Sequence, residues 1–191
     1  FAKYVPAEEV ACIVLETIQG DGGLLEPVDG YFEALEALCR EYGILIAVDD
    51  IQQGLGRTGS WSSVDHFNFT PDIITFGKSL AGGLPMSAIV GRKEIIESLE
   101  APAHLFTTGA NPVSCEAALA TIKMIEDDDL LTASAEKGNY VRQRMNQWVD
   151  KYDDVGDVRG IGLSIGIDIV KDKKSKERAA EEALKICNYC F

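Results

Sequence analysis

Three places in the chain hold residue types that do covalent or acid–base chemistry. Two carboxylates, Asp49 and Asp50, follow the apolar run Ile44–Val48. A lysine, Lys78, sits in the glycine-rich turn Thr75-Phe76-Gly77-Lys78-Ser79-Leu80-Ala81-Gly82-Gly83-Leu84-Pro85. A hydroxyl-bearing stretch, His104-Leu105-Phe106-Thr107-Thr108-Gly109-Ala110-Asn111, runs into Pro112. No other lysine occurs between Lys3 and Lys93, so Lys78 stands apart from ordinary surface charge. An amine at its usual pKa of about 10.4 is a poor nucleophile at neutral pH. Desolvation in a packed turn lowers that value. Each group taken alone has a bland reading: Asp49 and Asp50 as loop caps, Lys78 as a solvated turn residue, Thr107 as a helix cap.

The elements that must position these groups alternate. Val10–Leu15 is a continuous apolar run, expected as a strand buried on both faces. Phe32, Leu35, Leu38 and Cys39 recur at helical spacing, and Gly43 supplies a stop. Ile44–Val48, Ile73–Phe76 and Ser87–Val90 read as further strands. Strand, helix, strand in this order predicts an α/β chain with a largely parallel sheet. Pro112 opens a helix to about Glu126, and a second, roughly Leu130–Tyr152, carries Tyr140, Val141, Met145, Trp148 and Val149 on one face. Val155–Val170 reads as strand material and Arg178–Phe191 as a helix. The acidic run Glu126-Asp127-Asp128-Asp129 marks a boundary between residues 1–128 and 129–191. Loops at the carboxyl ends of such strands face one crevice. That crevice would collect a nucleophilic lysine, a buried carboxylate and phosphate donors at a helix start, the parts a pyridoxal phosphate enzyme requires.

Other chemistries lose on single residues. Gly54-Leu55-Gly56-Arg57-Thr58-Gly59 matches G-x-G-x-x-G by letter, but Asp49–Gln53 separates it from its strand and Ser60-Trp61-Ser62-Ser63 follows in place of an apolar helix. Gly77-Lys78-Ser79 resembles the tail of a P-loop, yet Asp72 occupies the place of its first glycine. Cys187-Asn188-Tyr189-Cys190 is a lone CxxC without the second pair that structural zinc needs, so no metal is expected. The net charge of −13 over 191 residues argues against nucleic acid or an anionic membrane as partner. An apolar content of 46% excludes a disordered chain. No signal peptide is visible at Phe1–Pro6, and no apolar run is long enough to span a membrane. Five cysteines, an odd number spread through core-like segments, suggest reduced thiols in the cytoplasm. The absent initiator Met and the apolar end at Phe191 suggest a piece of a longer protein.

Four ordered motifs carry a family resemblance across nearly the whole chain. Leu15-Glu16-Thr17-Ile18-Gln19-Gly20-Asp21-Gly22-Gly23 resembles E-P-x-Q-G-E-G-G, and Val48-Asp49-Asp50-Ile51-Gln52-Gln53-Gly54-Leu55-Gly56-Arg57-Thr58-Gly59 resembles D-E-V-Q-T-G-F-G-R-T-G. Gly77-Lys78 with Gly82-Gly83-Leu84-Pro85 resembles a cofactor-lysine segment, and Thr107-Thr108-Gly109-Ala110-Asn111-Pro112 resembles T-F-G-G-N-P. These are the motifs of class III (subgroup II) pyridoxal phosphate-dependent aminotransferases, such as the 4-aminobutyrate, ornithine and acetylornithine enzymes. The resemblance implies fold type I: a large domain with a mostly parallel sheet and helices on both faces (here residues 1–128), then a linking helix and the start of an α+β C-terminal domain (129–191). It implies that Lys78 bonds the cofactor and shuttles a proton, and that Asp49 keeps the pyridine nitrogen protonated. Gln52 would sit near the cofactor's 3-oxygen, and Ile51 would pack on the ring. Thr107 would bind the phosphate across a homodimer interface, and Glu16 would be a substrate-gating carboxylate.

The chain departs from the pattern at Asp50, where the family has Glu, at Thr17 for proline, and at Ala110 for glycine. Family segments before and after these residues, with a phosphate loop, a ring-stacking aromatic and a carboxylate-binding arginine, have no counterpart here, so the chain alone is expected to be inactive. The expected reaction moves an amino group from an amino acid, 4-aminobutyrate or another omega-amino acid among the candidates, to a 2-oxo acid. The alternative is amino-acid racemisation, since Gln53–Gly59, Ala101–Thr108 and Gly156-Asp157-Val158-Arg159 resemble isoleucine 2-epimerase. A second alternative, a relative without cofactor or activity, is disfavoured by Asp49, Gln52, Lys78 and Thr107.

Overall fold

The computed structural model describes residues 3–103 and 106–190. Its first sheet is ordered β1 (Cys12–Leu15), β2 (Leu45–Asp49), β3 (Ile73–Phe76) and β4 (Ala88–Gly91). The first three strands are parallel and β4 returns antiparallel. Leu15 pairs with Val48, and Asp49 with Thr75. The register therefore brings Glu16, Asp50 and Gly77 to the same edge of the sheet.

Helix α1 (Tyr31–Tyr42) covers one face, with Phe32 and Cys39 buried against Ile44, Ile46 and Val48. The Phe32 ring stacks on Phe69, 4.2 Å between centroids. Gly43 ends the helix at φ +70°, its N–H bonded to Cys39 O, in the left-handed cap its lack of a side chain permits. Leu38, expected on the buried stripe, lies on its exposed edge. The doubly buried reading holds for β2, whose three central residues are buried. It fails for β1, where Val14 is 69% exposed. Ile13 and Leu15 pack under α1, and Val14 between them points to the opposite face of the sheet.

At the amino ends of these strands a buried carboxylate pins the sheet. Asp72 accepts Arg40 Nη1 on both oxygens (3.0 and 2.9 Å), Arg92 Nη1 at 2.7 Å and the Ile46 amide at 2.8 Å. Burying a charge this completely requires such saturation.

Beyond a four-residue helix, α2 (Lys93–Ile96), helix α3 runs over Pro112–Asp127 and α4 over Leu130–Lys151. The expected strand region resolves into a hairpin, β5 (Val155–Ile161) and β6 (Ser164–Asp172), closed by the two-residue turn Gly162-Leu163 with Gly162 at φ +57°. A short β7 (Glu177–Arg178) and α5 (Ala180–Cys190) follow. The face expected on α4 is corrected in part. Tyr140 is 60% exposed and Trp148 37%, while Ser134 and Gly138 are buried. Close approach sets the stripe: a Cβ on Gly138 would collide with the Gly162 carbonyl, so the buried line runs through small residues to half-buried Val141, Met145 and Val149.

The hairpin returns to the first sheet's loops through polar ties. Leu163 N donates to Arg57 O at 3.0 Å, Arg159 Nε to Gly23 O at 2.9 Å, and Gly160 N to Glu26 Oε1 at 3.0 Å. Ser164 Oγ donates to Gln53 Oε1.

Candidate active site

Because three parallel strands end together, the segments that follow them meet. Glu16 follows β1, Asp49 ends β2 and Lys78 follows β3 after Gly77. Glu16, Asp21, Asp49, Ile51, Gln52 and Lys78 line one crevice of about 250 Å³. Lys78 begins a 3-10 turn (Lys78–Ala81) at φ +45°, a left-handed conformation that costs a non-glycine residue about 1–2 kcal/mol. Lys78 Nζ donates to Gln52 Oε1.

The other walls are equally constrained. Asp49 Oδ1 accepts the Ile51 amide at 3.1 Å, which orients the carboxylate and places Ile51 beside it. Glycines keep the lining close: a Cβ on Gly77 would lie 3.2 Å from Ile51 Cγ2, and one on Gly20 only 2.6 Å from Gln52 Nε2. The Glu16 carboxylate accepts the Gly20 amide at 3.1 and 3.2 Å on its two oxygens. A larger adjoining cavity of about 750 Å³ shares Ile51, Gln52 and Lys78 and reaches α3, α4 and the hairpin turn at Met124, Lys137 and Leu163.

The structure thus gathers five expected residues, Glu16, Asp49, Ile51, Gln52 and Lys78, into one lining. Thr107 is not among them; it lies in the exposed turn 107–110, while His104 and Leu105 lie outside the described residues. The cap of α3 is Asn111, whose Oδ1 accepts the amides of Val113 and Ser114 at 2.9 and 3.3 Å, and not Thr107. The dry surroundings expected for Lys78 are corrected too, since Lys78 is solvent-exposed in a crevice that opens outward. Asp21 is the lining residue that sequence reasoning passed over, although it sits inside a quoted motif between Gly20 and Gly22. Asp50 points away from the crevice and is 1% exposed. Gly54–Gly59 forms turns and opens no helix. Among the described residues no cluster of three metal-ligating side chains occurs, and Cys187 and Cys190 are exposed.

The class III aminotransferase family profile matches residues 3–188. This chain belongs to the class III aminotransferase family. Within it, the chain is 49% identical to leucine/methionine racemase of Thermococcus litoralis, over 97% of the chain and 42% of that protein. It is 45% identical to isoleucine 2-epimerase of Lentilactobacillus buchneri, over 100% and 43%. It is 38% identical to a probable 4-aminobutyrate aminotransferase of Bacillus subtilis, over 99% and 43%. Among solved structures, a Bacillus anthracis aminotransferase superposes with a TM-score of 0.88 at 32% identity, covering 94% of this chain and 42% of that one. Taurine:2-oxoglutarate aminotransferase from Bifidobacterium kashiwanohense, in complex with PLP and glutamate, gives 0.83 at 30% identity, covering 87% and 38%. The α/β fold with a mainly parallel sheet is that of these aminotransferases. The chain spans about two fifths of the length of the curated relatives it matches. No described helix is long and apolar enough to cross a membrane.

Proposed function

We propose that these residues form the core of a pyridoxal phosphate-dependent aminotransferase that moves an amino group from an amino acid to a 2-oxo acid. The observation that carries the reading is the donor set of one crevice: a lysine amine, an aspartate carboxylate, an amide and an aliphatic face, at Lys78, Asp49, Gln52 and Ile51. That set fits the cofactor, since it offers one group for an aldehyde, one for a cationic ring nitrogen, one for a ring oxygen and one for a ring face. Bound there, pyridoxal phosphate supplies an electron sink next to the substrate's amino-bearing carbon.

The chain's own groups do the rest. The Lys78 amine holds the cofactor and then takes and returns the substrate's proton. The Asp49 carboxylate, oriented by the Ile51 amide, holds a proton at the ring nitrogen; opposite unit charges at 4 Å are worth about 4 kcal/mol at an effective dielectric of 20. Gln52 now accepts from Lys78, and its amide nitrogen is free to donate to a ring oxygen. Glu16 gates the substrate's charged end. Thr107, exposed outside the crevice, suits a phosphate contact made to a second copy, hence a homodimer. Residues 1–128 and 129–191 would belong to the large and small domains, a division supported by the break between α3 and α4. Five free cysteines support a cytoplasmic setting, and small amino and oxo acids, with no nucleic acid and no membrane, are the expected partners.

Racemisation is the second reading, and two observations favour it. The racemase and epimerase above, at 49% and 45% identity, resemble the chain more than the 4-aminobutyrate relative at 38% does. Inverting a carbon by two bases uses a proton group on each face, and Glu16 and Asp21 share the crevice with Lys78. The test is to incubate the full-length protein with one L-amino acid, with and without a 2-oxo acid. Amino transfer that requires the oxo acid, with no D-enantiomer formed, supports the aminotransferase; enantiomers interconverting without an oxo acid overturn it in favour of the racemase.

A further inference from the structure

Two departures from the family pattern, Thr17 and Asp50, turn out to be joined. Asp50 is 1% exposed, Ser63 0% and Thr17 2%. Asp50 Oδ2 accepts the Ser63 amide at 3.0 Å, and its Oδ1 accepts the Ser63 hydroxyl. The Ser63 oxygen is in turn bonded to the Thr17 hydroxyl. The Ser63 hydroxyl has one proton and donates it to Asp50 Oδ1, so Thr17 donates to Ser63. The chain therefore has one direction, Thr17 to Ser63 to Asp50. Among the described residues no salt bridge to Asp50 occurs, and its side-chain partner is Ser63.

The placement of the ends gives the chain its meaning. Thr17 is the neighbour of Glu16, and Asp50 the neighbour of Asp49, so a buried link ties together the residues flanking two crevice acids at the ends of β1 and β2. The Asp50 carbonyl also accepts the Gly54 amide at 3.0 Å, and a Cβ on Gly54 would lie 2.8 Å from Asp50 Oδ2, so the loop carrying Ile51 and Gln52 closes tightly over it.

We propose that Thr17, Ser63 and Asp50 are positioning residues that fix the crevice loop 49–54 and the spacing of Glu16 and Asp49. The consequence for catalysis rests on the pyridoxal phosphate reading; the consequence for the loop does not. The test uses the full-length protein with Thr17→Val, which keeps shape and deletes the hydroxyl, Thr17→Ser, which keeps the hydroxyl, and Ser63→Ala. Without cofactor, amide exchange of residues 50–53 is expected to speed up about tenfold in Thr17→Val and Ser63→Ala, the scale of one lost hydrogen bond, with β5 and β6 unchanged. With cofactor, kcat for exchange of the substrate's alpha hydrogen with deuterium should fall by a similar factor while KM holds, and Thr17→Ser should recover most of both effects.

Wild-type exchange in Thr17→Val, protection lost evenly over β1–β4, or a Thr17→Ser as impaired as Thr17→Val would each overturn the proposal. If the loaded wild-type protein exchanges no alpha hydrogen, the functional reading fails instead, and the cofactor-free amide exchange still decides the positioning role.

Discussion

Asp72 at the amino ends of the parallel strands and Asp49 at their carboxyl ends are treated in opposite ways. At the amino ends, Asp72 is fully buried and takes hydrogen bonds from two arginines and a backbone amide. At the carboxyl ends, Asp49 takes one local amide, and Glu16, Asp21 and Lys78 stand around it in an open crevice. A saturated charge holds strands together and has no capacity left for a ligand. An unsaturated set held by a strained backbone, with Lys78 at φ +45°, has that capacity and contributes little to stability. Structure and chemistry are thus divided along β2 and β3, a few residues apart.

That division can be broken most forcefully at Lys78. In the full-length protein Lys78→Ala should lower alpha-hydrogen exchange by about 10²–10⁴-fold, the usual contribution of a positioned acid–base group. Its melting temperature should barely move; a clear loss of stability would place Lys78 in the scaffold. Next comes the opposite end. Asp72→Asn leaves the Ile46 amide and two partly exposed arginines poorly met, and should destabilise the fold by about 2–3 kcal/mol in urea unfolding. Asp49→Asn in the same assay should stay within about 0.5–1 kcal/mol of wild type. Equal effects of the two aspartate changes would erase the contrast.

Arg40→Ala and Arg92→Ala sharpen the picture at smaller scale. Their side chains are 40% and 47% exposed, so solvent screens each pair and a loss of about 1 kcal/mol apiece is expected from the same unfolding curves. The smallest effect belongs to Asp172, an exposed carboxylate whose pKa is held below its ordinary 3.8 mainly by the Ser175 amide and hydroxyl. A lowered folded value means the contribution is present above the unfolded pKa and is lost as pH falls through the folded one. The turn between β6 and β7 should therefore loosen only in acid, which amide exchange at Lys174 and Ser175 across a pH series would register.

The sequence showed most of this where one local rule decided the outcome. Alternation of apolar runs with a helical repeat located β2, β3 and α1, and Gly43 and Pro112 marked helix ends. Lys78 and Asp49 could be grouped because parallel strands expose their following loops on one side, whereas Ile51, Gln52 and Glu16 were reached only through the family motifs. What stayed hidden depended on neighbours far along the chain. The exposure of Val14 follows from which face of β1 lies away from α1, and the buried stripe of α4 from the approach of Gly138 to Gly162. Asp21 looked like turn material, and the link from Thr17 through Ser63 to Asp50 joins residues up to 46 positions apart, with no periodicity to announce it. The exposure of Lys78 likewise depends on what surrounds the turn and not on the turn itself.

The central claim is that one amine in this crevice takes an aldehyde while Asp49 faces the ring. Full-length protein incubated with pyridoxal phosphate, reduced with borohydride and digested should yield a single phosphopyridoxyl peptide, the one containing Lys78. Asp49→Asn should leave that attachment site unchanged and weaken retention of the cofactor before reduction. Label spread over several surface lysines, or none at Lys78, would contradict the account.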